Sequence, residues 1–354
     1  MRLARGRVSA KNMSKTMSTS KLNSLKAAAI QLEAVVGDVA TNLSRLELMI
    51  KEAAEQGAKL IAVPEFCTSR LSMQPEVAQA VMPTDNLVVD SFKSLASKYQ
   101  CWLGGSMLVY EAGEIYNRYH LFEPNGNIHT HDKDYPTMWE GCFYAGGADD
   151  GVFETELGGI GAAVCWELIR NGTARRLANR INVVMTGTHW WTVPKNLWPL
   201  NKLLTGLDDA NRQLSTQAPV ELAQRLGVPV IQASHCGEFN SRLLLIPGFP
   251  FSLSYDTEYV GATQIVDGQG RVLAIRDTRE GPGIVYAEVE LGTQQPIKTI
   301  EEDFWMPKLP WLIRAYWAQQ NACAKPWYNR YGREAGFKAT LDYLQQEKIQ
   351  AENK

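Results

Sequence analysis

Four apolar runs constrain this chain most: Ala27–Leu32, Lys59–Val63, Ile181–Thr186 and Val228–Ala233. Each is five or six residues long and ends in polar or turn-forming residues. Runs so short and so rich in Ala, Ile and Val read as buried strands. Helical patterns lie between them. Asn42 to Gln56 puts Leu43, Leu46, Ile50 and Ala53/Ala54 on one face, and Gly57 stops it. Further helices are predicted over Val88–Lys98 and Thr173–Asn179, and one ending at Leu226-Gly227, with Pro219 near its start or at a kink. Turn-separated alternating segments add hairpins: Trp102–Tyr110 with Tyr116–Glu123, Leu121–Glu123 with Ile128–His131, and Gln264–Val266 with Val272–Arg276. Hairpins mixed with strand–helix alternation predict an α/β fold, mixed sheets with helices on their outer faces.

The chain has 354 residues, 45% of them hydrophobic and 21% charged, an ordinary globular composition. No Pro/Gly/Ser-rich linker breaks the stretch from about Ala27 to Leu291, so residues 27–292 are expected to form one domain. Residues 1–26 form a polar, Ser-rich arm with seven basic groups and no acid, expected to be disordered. Such an arm fits either a transit peptide or translation beginning at Met13 or Met17. Without it the chain keeps 29 basic against 38 acidic residues, which argues against a nucleic-acid partner. No apolar run is long enough to span a membrane. Residues 293–354 crowd Trp305, Trp311, Trp317 and Trp327 with Tyr316, Tyr328 and Tyr331. So apolar a segment must be covered, either by packing back on its own domain or at a subunit interface.

Six scattered cysteines form no C-x-x-C pair, which reads as reduced thiols in a cytoplasmic setting. His129 and His131 lack a third ligand, so no metal is expected. No cofactor signature survives either. Val164 stands where a dinucleotide loop beginning at Gly159-Ile160-Gly161 would need its last glycine, and there is no P-loop. Gly104-Gly105-Ser106 lacks the closing glycine of a serine nucleophile elbow.

Three stretches carry chemistry. In Leu60-Ile61-Ala62-Val63-Pro64-Glu65 an apolar strand delivers a carboxylate at its C-terminal end, where α/β proteins place ligands. Apolar neighbours raise a carboxyl pKa toward the range of a general base at neutral pH. Lys133, after a hairpin and before an aromatic loop, can present an ammonium to developing negative charge. In Gly158–Glu167 a buried strand ends on Cys165-Trp166-Glu167, and a cysteine there becomes a nucleophile only beside a base and a positive charge. Taken singly, Glu65 and Lys133 read more readily as solvated loop residues and Cys165 as a small core residue. Their strand-end positions let all three face one crevice.

Lys133 follows Glu65 by 68 residues and Cys165 follows Lys133 by 32. In this order the set resembles the Glu-Lys-Cys triad of the nitrilase superfamily of carbon–nitrogen hydrolases, over about Lys26 to Gly292. Lys133 followed by Pro136, Thr137 and Glu140, and the Cys165-Trp166-Glu167 triplet, are similar to the nitrilase branch. Leu168-Ile169-Arg170 stands where nitrilases commonly continue with Asn, and Gly141 where they often carry Arg.

The resemblance implies a four-layer α-β-β-α sandwich and a homodimer or larger assembly. It implies hydrolysis of a small nitrile or amide through a cysteine thioester, with Glu65 as base, Lys133 as oxyanion stabiliser and Glu140 positioning substrate and lysine. Glu167 is expected to steady the loop after Cys165. Trp139, Tyr144, Trp166, His189, Trp190 and Trp191 adjoin these motifs and are expected to face substrate. The same residues would serve an acyltransferase, in which an amine or alcohol intercepts the thioester. A non-catalytic scaffold would need none of them.

Overall fold

In the computed structural model of the chain, residues 24–195 and 201–352 are described, without the side chains of 201–204. The predicted basic arm therefore lies outside the described residues, except that its last three residues already belong to the first strand. In chain order come β1 (Ser24–Leu32), α1 (Val39–Glu55), β2 (Leu60–Ala62), β3 (Met82–Pro83) and α2 (Leu87–Tyr99). Next are β4 (Trp102–Glu111), β5 (Glu114–Phe122), β6 (Ile128–Asp132), β7 (Val152–Thr155) and β8 (Gly158–Ala162). They lead to α3 (Asn171–Leu177), β9 (Val183–Thr188), α4 (Asn201–Leu226) and β10 (Val230–His235). The chain closes with β11 (Glu238–Leu244), β12 (Ser252–Glu258), β13 (Gly261–Val266), β14 (Val272–Asp277), β15 (Gly283–Glu290), α5 (Trp311–Trp327) and α6 (Arg333–Glu352).

Thirteen strands form one mixed sheet whose main path runs β6-β5-β4-β2-β1-β10-β9-β8-β7. β1 is the seam. It pairs antiparallel with β15 along most of its length, and only its last two residues, Gln31 and Leu32, pair with Ser234 and His235 of β10. The two halves fold onto each other there. A Cβ at Gly187 of β9 would lie 2.2 Å from the Glu65 backbone nitrogen, so only glycine lets β9 cross this close to the end of β2.

Alternation along the strands divides the core. Ala28, Ile30, Ile61 and Val63 pack toward α1 and α2. Ala27, Ala29, Leu60 and Ala62 join a second, larger cluster with Val183, Met185 and Ile231, between the half-sheets. Helix, half-sheet, half-sheet and helix thus stack as the predicted four layers, with α4 against β10 and β13 on the far side. Capping follows the sequence: the Asp38 side chain accepts from Thr41 N in α1, and Asn86 accepts from Val88 and Val89 N in α2.

The aromatic C-terminal segment packs back on its own domain. α5 lies on the turn Met138–Cys142, and α6 on Pro75–Ala80 and β3. The contacts are specific: Gln320 Nε2 donates to Leu244 O at 2.8 Å, and Tyr328 Oη donates to Glu114 at 2.6 Å. Trp311 alone of the four tryptophans in that segment stays open, at 73% exposure.

Candidate active site

Glu65, Lys133 and Cys165 stand just past the ends of β2, β6 and β8, and each side chain is fully buried. The predicted crevice is an enclosed site. Three loops deliver its residues through left-handed backbone at non-glycine positions: Phe66 (φ 51°) after Glu65, Met138 (φ 58°) before Glu140, and Cys165 itself (φ 54°). Such conformations cost about 1–3 kcal/mol each and persist where the surrounding packing over-determines them.

The Lys133 ammonium joins two carboxylates, 2.7 Å from Glu65 Oε1 and 2.8 Å from Glu140 Oε2. Oε2 of Glu140 also accepts from the Thr137 backbone N–H at 3.1 Å and the Tyr144 hydroxyl at 2.6 Å. Oε1 of Glu65 also accepts from Asn117 Nδ2 at 2.7 Å. Each carboxylate therefore has one satisfied oxygen and one buried without a hydrogen-bond partner, Oε2 of Glu65 and Oε1 of Glu140. His189 supplies the complement. Its Nε2 accepts from Leu71 N at 2.9 Å and lies 2.7 Å from the Tyr259 hydroxyl, which assigns the proton to Nδ1. That Nδ1–H has no hydrogen-bond partner and sits 4.0 Å from Glu140 Oε1. Acceptors and a donor thus converge unpaired, a pattern an amide can satisfy.

Burial drives the titration of the set. It raises Glu65 to about 7, against the pull of Lys133 and with a push from Glu140. It drives the Cys165 thiol well above the ordinary range, helped by Glu65 and opposed by Lys133 and the His189 backbone N–H. Burial alone would lower Lys133, but Glu140 and Glu65 outweigh it and hold the ammonium charged. Burial also lowers His189 far enough to keep the ring neutral. The arrangement can take a proton from sulfur, stabilise an oxyanion and orient a carbonyl.

A second ring of residues fixes the loops. His235 Nε2 lies 2.6 Å from the Glu65 carbonyl oxygen and ties the base loop to β10. Glu167, expected to steady the loop after Cys165, instead accepts from the backbone N–H of Val164 before it at 2.6 Å and of Asp134 at 3.1 Å, clamping the cysteine loop to the lysine loop. Arg176 and His131 neutralise Glu167 at 2.8 Å and 3.0 Å, and Arg170 pairs with Asp134. Arg170 is one of the residues standing where a nitrilase-like motif would continue with Asn. Among the described residues no group of three or more His, Cys, Asp or Glu is placed to hold a metal.

Of the six aromatic or histidine residues predicted to face substrate, Trp166, Trp190 and Trp191 wall an apolar chamber whose lining includes none of the polar cluster. His189 points into the cluster. Trp139 does not line that chamber; its indole is packed against Trp191, with ring centroids 4.8 Å apart, and against Phe143. Tyr144 spends its hydroxyl on Glu140. Asn117 is the residue that sequence reasoning misses. The alternation Ile115, Asn117, Tyr119 sets a lone amide on the core-facing side of β5, which was the available signal.

The profile of a family described as carbon-nitrogen hydrolase matches residues 26–299. A citrullinase of Francisella tularensis is 28% identical over 155 residues, 40% of this chain and 53% of that protein. An omega-amidase of Homo sapiens is 28% identical over 159 residues, 42% of this chain and 56% of that protein. Nitrilase 3 of Arabidopsis thaliana is 27% identical over 182 residues, 45% of this chain and 52% of that protein. The matched stretch spans about half the length of these curated relatives. Among solved structures, a carbon-nitrogen hydrolase of Helicobacter pylori matches with a TM-score of 0.60 at 19% identity, covering 75% of this chain and 89% of that one. A nitrilase-superfamily member of Saccharomyces cerevisiae matches with a TM-score of 0.55 at 20% identity, covering 75% and 90%. Both are likenesses of fold.

Proposed function

Because this chain belongs to the carbon–nitrogen hydrolase family, we propose that it cleaves a non-peptide carbon–nitrogen bond, in an amide or a nitrile, through a thioester on Cys165. The observation that carries this reading is the Lys133 ammonium held between Glu65 and Glu140 while each carboxylate keeps one oxygen unpaired. A scaffold would gain nothing from burying three charges around a thiol, since their desolvation is costly.

Glu65 takes the proton of the Cys165 thiol as sulfur attacks the amide carbon. Negative charge that forms on the acyl oxygen meets the remaining N–H of Lys133 and a backbone N–H beside Trp166; each such donor lowers the barrier by about 3 kcal/mol. Glu65 returns the proton to the leaving nitrogen, the C–N bond breaks, and ammonia or an amine departs. Water then gives a proton to Glu65 and its oxygen to the thioester carbon, and the C–S bond breaks to release the acid as Glu65 returns that proton to the Cys165 sulfur. With a nitrile, sulfur adds to give a thioimidate. Water adds to that, ammonia leaves, and the same thioester forms. Oε1 of Glu140 accepts from the N–H of an amide substrate, and the His189 Nδ1–H donates to a substrate acceptor.

The reading is tested by incubating the protein with primary amides and nitriles and following ammonia release together with intact mass. An acyl adduct on the parent protein that is missing from Cys165→Ala is the expected result. Turnover by Cys165→Ala at the parent rate would end the proposal.

A further inference from the structure

A cavity of about 230 Å³ is lined by immediate sequence neighbours of the polar cluster. Trp166, Trp190 and Trp191 form one wall, and Leu312, Ile313 and Tyr316 of α5 form another. Trp166 directly follows Cys165 and Trp190 directly follows His189, so the loops that carry the reacting residues also supply this wall. Met138, two residues before Glu140, also lines it. Among the described residues, none that lines it is charged. Two of its polar side chains are committed elsewhere, while the Tyr316 hydroxyl is buried without a hydrogen-bond partner. Asn211 accepts from the Trp190 indole and donates to the Trp191 carbonyl, each at 2.9 Å, and the Thr192 hydroxyl lies 3.0 Å from that of Thr257.

Resting on the hydrolase reading above, we propose that this chamber takes the group attached to the scissile carbon. Substrates then carry an uncharged apolar group of one or two rings, and α5 sets the size limit. Volume supports the size: a cavity of roughly 150 Å³ accepts benzene, so 230 Å³ holds a ring with a short linker or a fused pair. Charge supports the chemistry. A carboxylate or ammonium seated here would lose water and meet no counter-charge among the described lining residues, which is unfavourable. The α5 wall lies beyond the stretch 26–299 shared with the family, so the limit belongs to this chain rather than to the common module.

The test compares 3-phenylpropanamide, propanamide, succinamic acid and the corresponding nitriles as substrates of the full chain, with indole fluorescence read in parallel. The phenyl compound is expected to exceed succinamic acid at least a hundredfold in kcat/KM. In Leu312→Trp, or Ile313→Phe should the first fail to fold, the ratio of phenyl compound to propanamide is expected to fall at least tenfold. Equal or better turnover of succinamic acid, or an unchanged ratio in a folded variant, overturns the chamber proposal and leaves the hydrolase reading standing. If nothing is turned over but 3-phenylpropanamide quenches the tryptophans saturably, and the variant abolishes the quench, the hydrolase reading falls and the ligand class survives. Neither turnover nor quench sinks both.

Discussion

The Lys133 ammonium lies 2.7 Å from Oε1 of Glu65, with both side chains wholly buried. The pair does not pull Glu65 into the ordinary carboxylate range, because burial and the nearby Glu140 charge outweigh the lysine and leave it near 7. A carboxylate held there can accept a thiol proton and still give it up.

The first consequence is a pH profile. Only ionised Glu65 can take the Cys165 proton, so kcat/KM should rise about tenfold per pH unit below 7 and level off above it. Glu140→Gln removes a charge that raises Glu65, so the rising limb should move to lower pH even as the rate falls. A limb that stays put or moves upward contradicts the assignment of Glu65.

Cys165→Ala should lower turnover at least about a thousandfold, the scale seen when a nucleophile is deleted. Its backbone makes a second prediction. Cys165 sits at φ 54°, where glycine is unstrained and alanine is not. Cys165→Gly should therefore be at least as stable to urea as Cys165→Ala, reversing the usual order. An ordinary glycine penalty of about 0.5–1 kcal/mol would remove strain from the account of this loop.

Lys133→Met strands two buried carboxylates, and breaking a buried pair in this way typically costs about 3–5 kcal/mol. Adding Glu140→Gln neutralises one of them, so the double variant should regain part of the loss. Chemical denaturation of the four proteins in a double-mutant cycle gives the coupling, and simple additivity would show that the two side chains do not share a charge site.

His131 links fold stability to pH. Burial pulls its pKa down, but Glu167 and Asp149 outweigh that and raise it to about 10 from an ordinary value of 6.5. A group raised on folding contributes fully below its unfolded value and loses that contribution as pH climbs through the folded one. Urea midpoints should therefore fall between about pH 6.5 and 10 more steeply in the parent than in His131→Asn. Parallel curves would dissociate His131 from the Glu167 clamp.

Much of the frame was legible in the chain. The four apolar runs became β1, β2, β9 and β10, each within three residues of its predicted ends, and all three expected hairpins formed. Strand period and turn residues act over a few positions, so they can be read locally. The β11–β12 hairpin and α5 were not legible. The hairpin's buried face mixes Phe239 and Tyr255 with Ser241 and Thr257, so no apolar alternation shows, and the aromatic crowding over 305–331 masks any helical period.

The sequence by itself placed Glu65, Lys133 and Cys165 at strand ends in the order of the carbon–nitrogen hydrolases and supplied Glu140 seven residues after the lysine. Tertiary structure alone decided what these groups are chemically. Asn117, His189 and His235 reach the cluster from distant strands, and the shifts at Glu65 and Cys165 come from exclusion of water. Desolvation is a property of an enclosure, and the cavity that α5 lines together with Trp166 and Trp190 likewise exists only in the folded chain. Neither can be read from residues that meet only after the chain has folded.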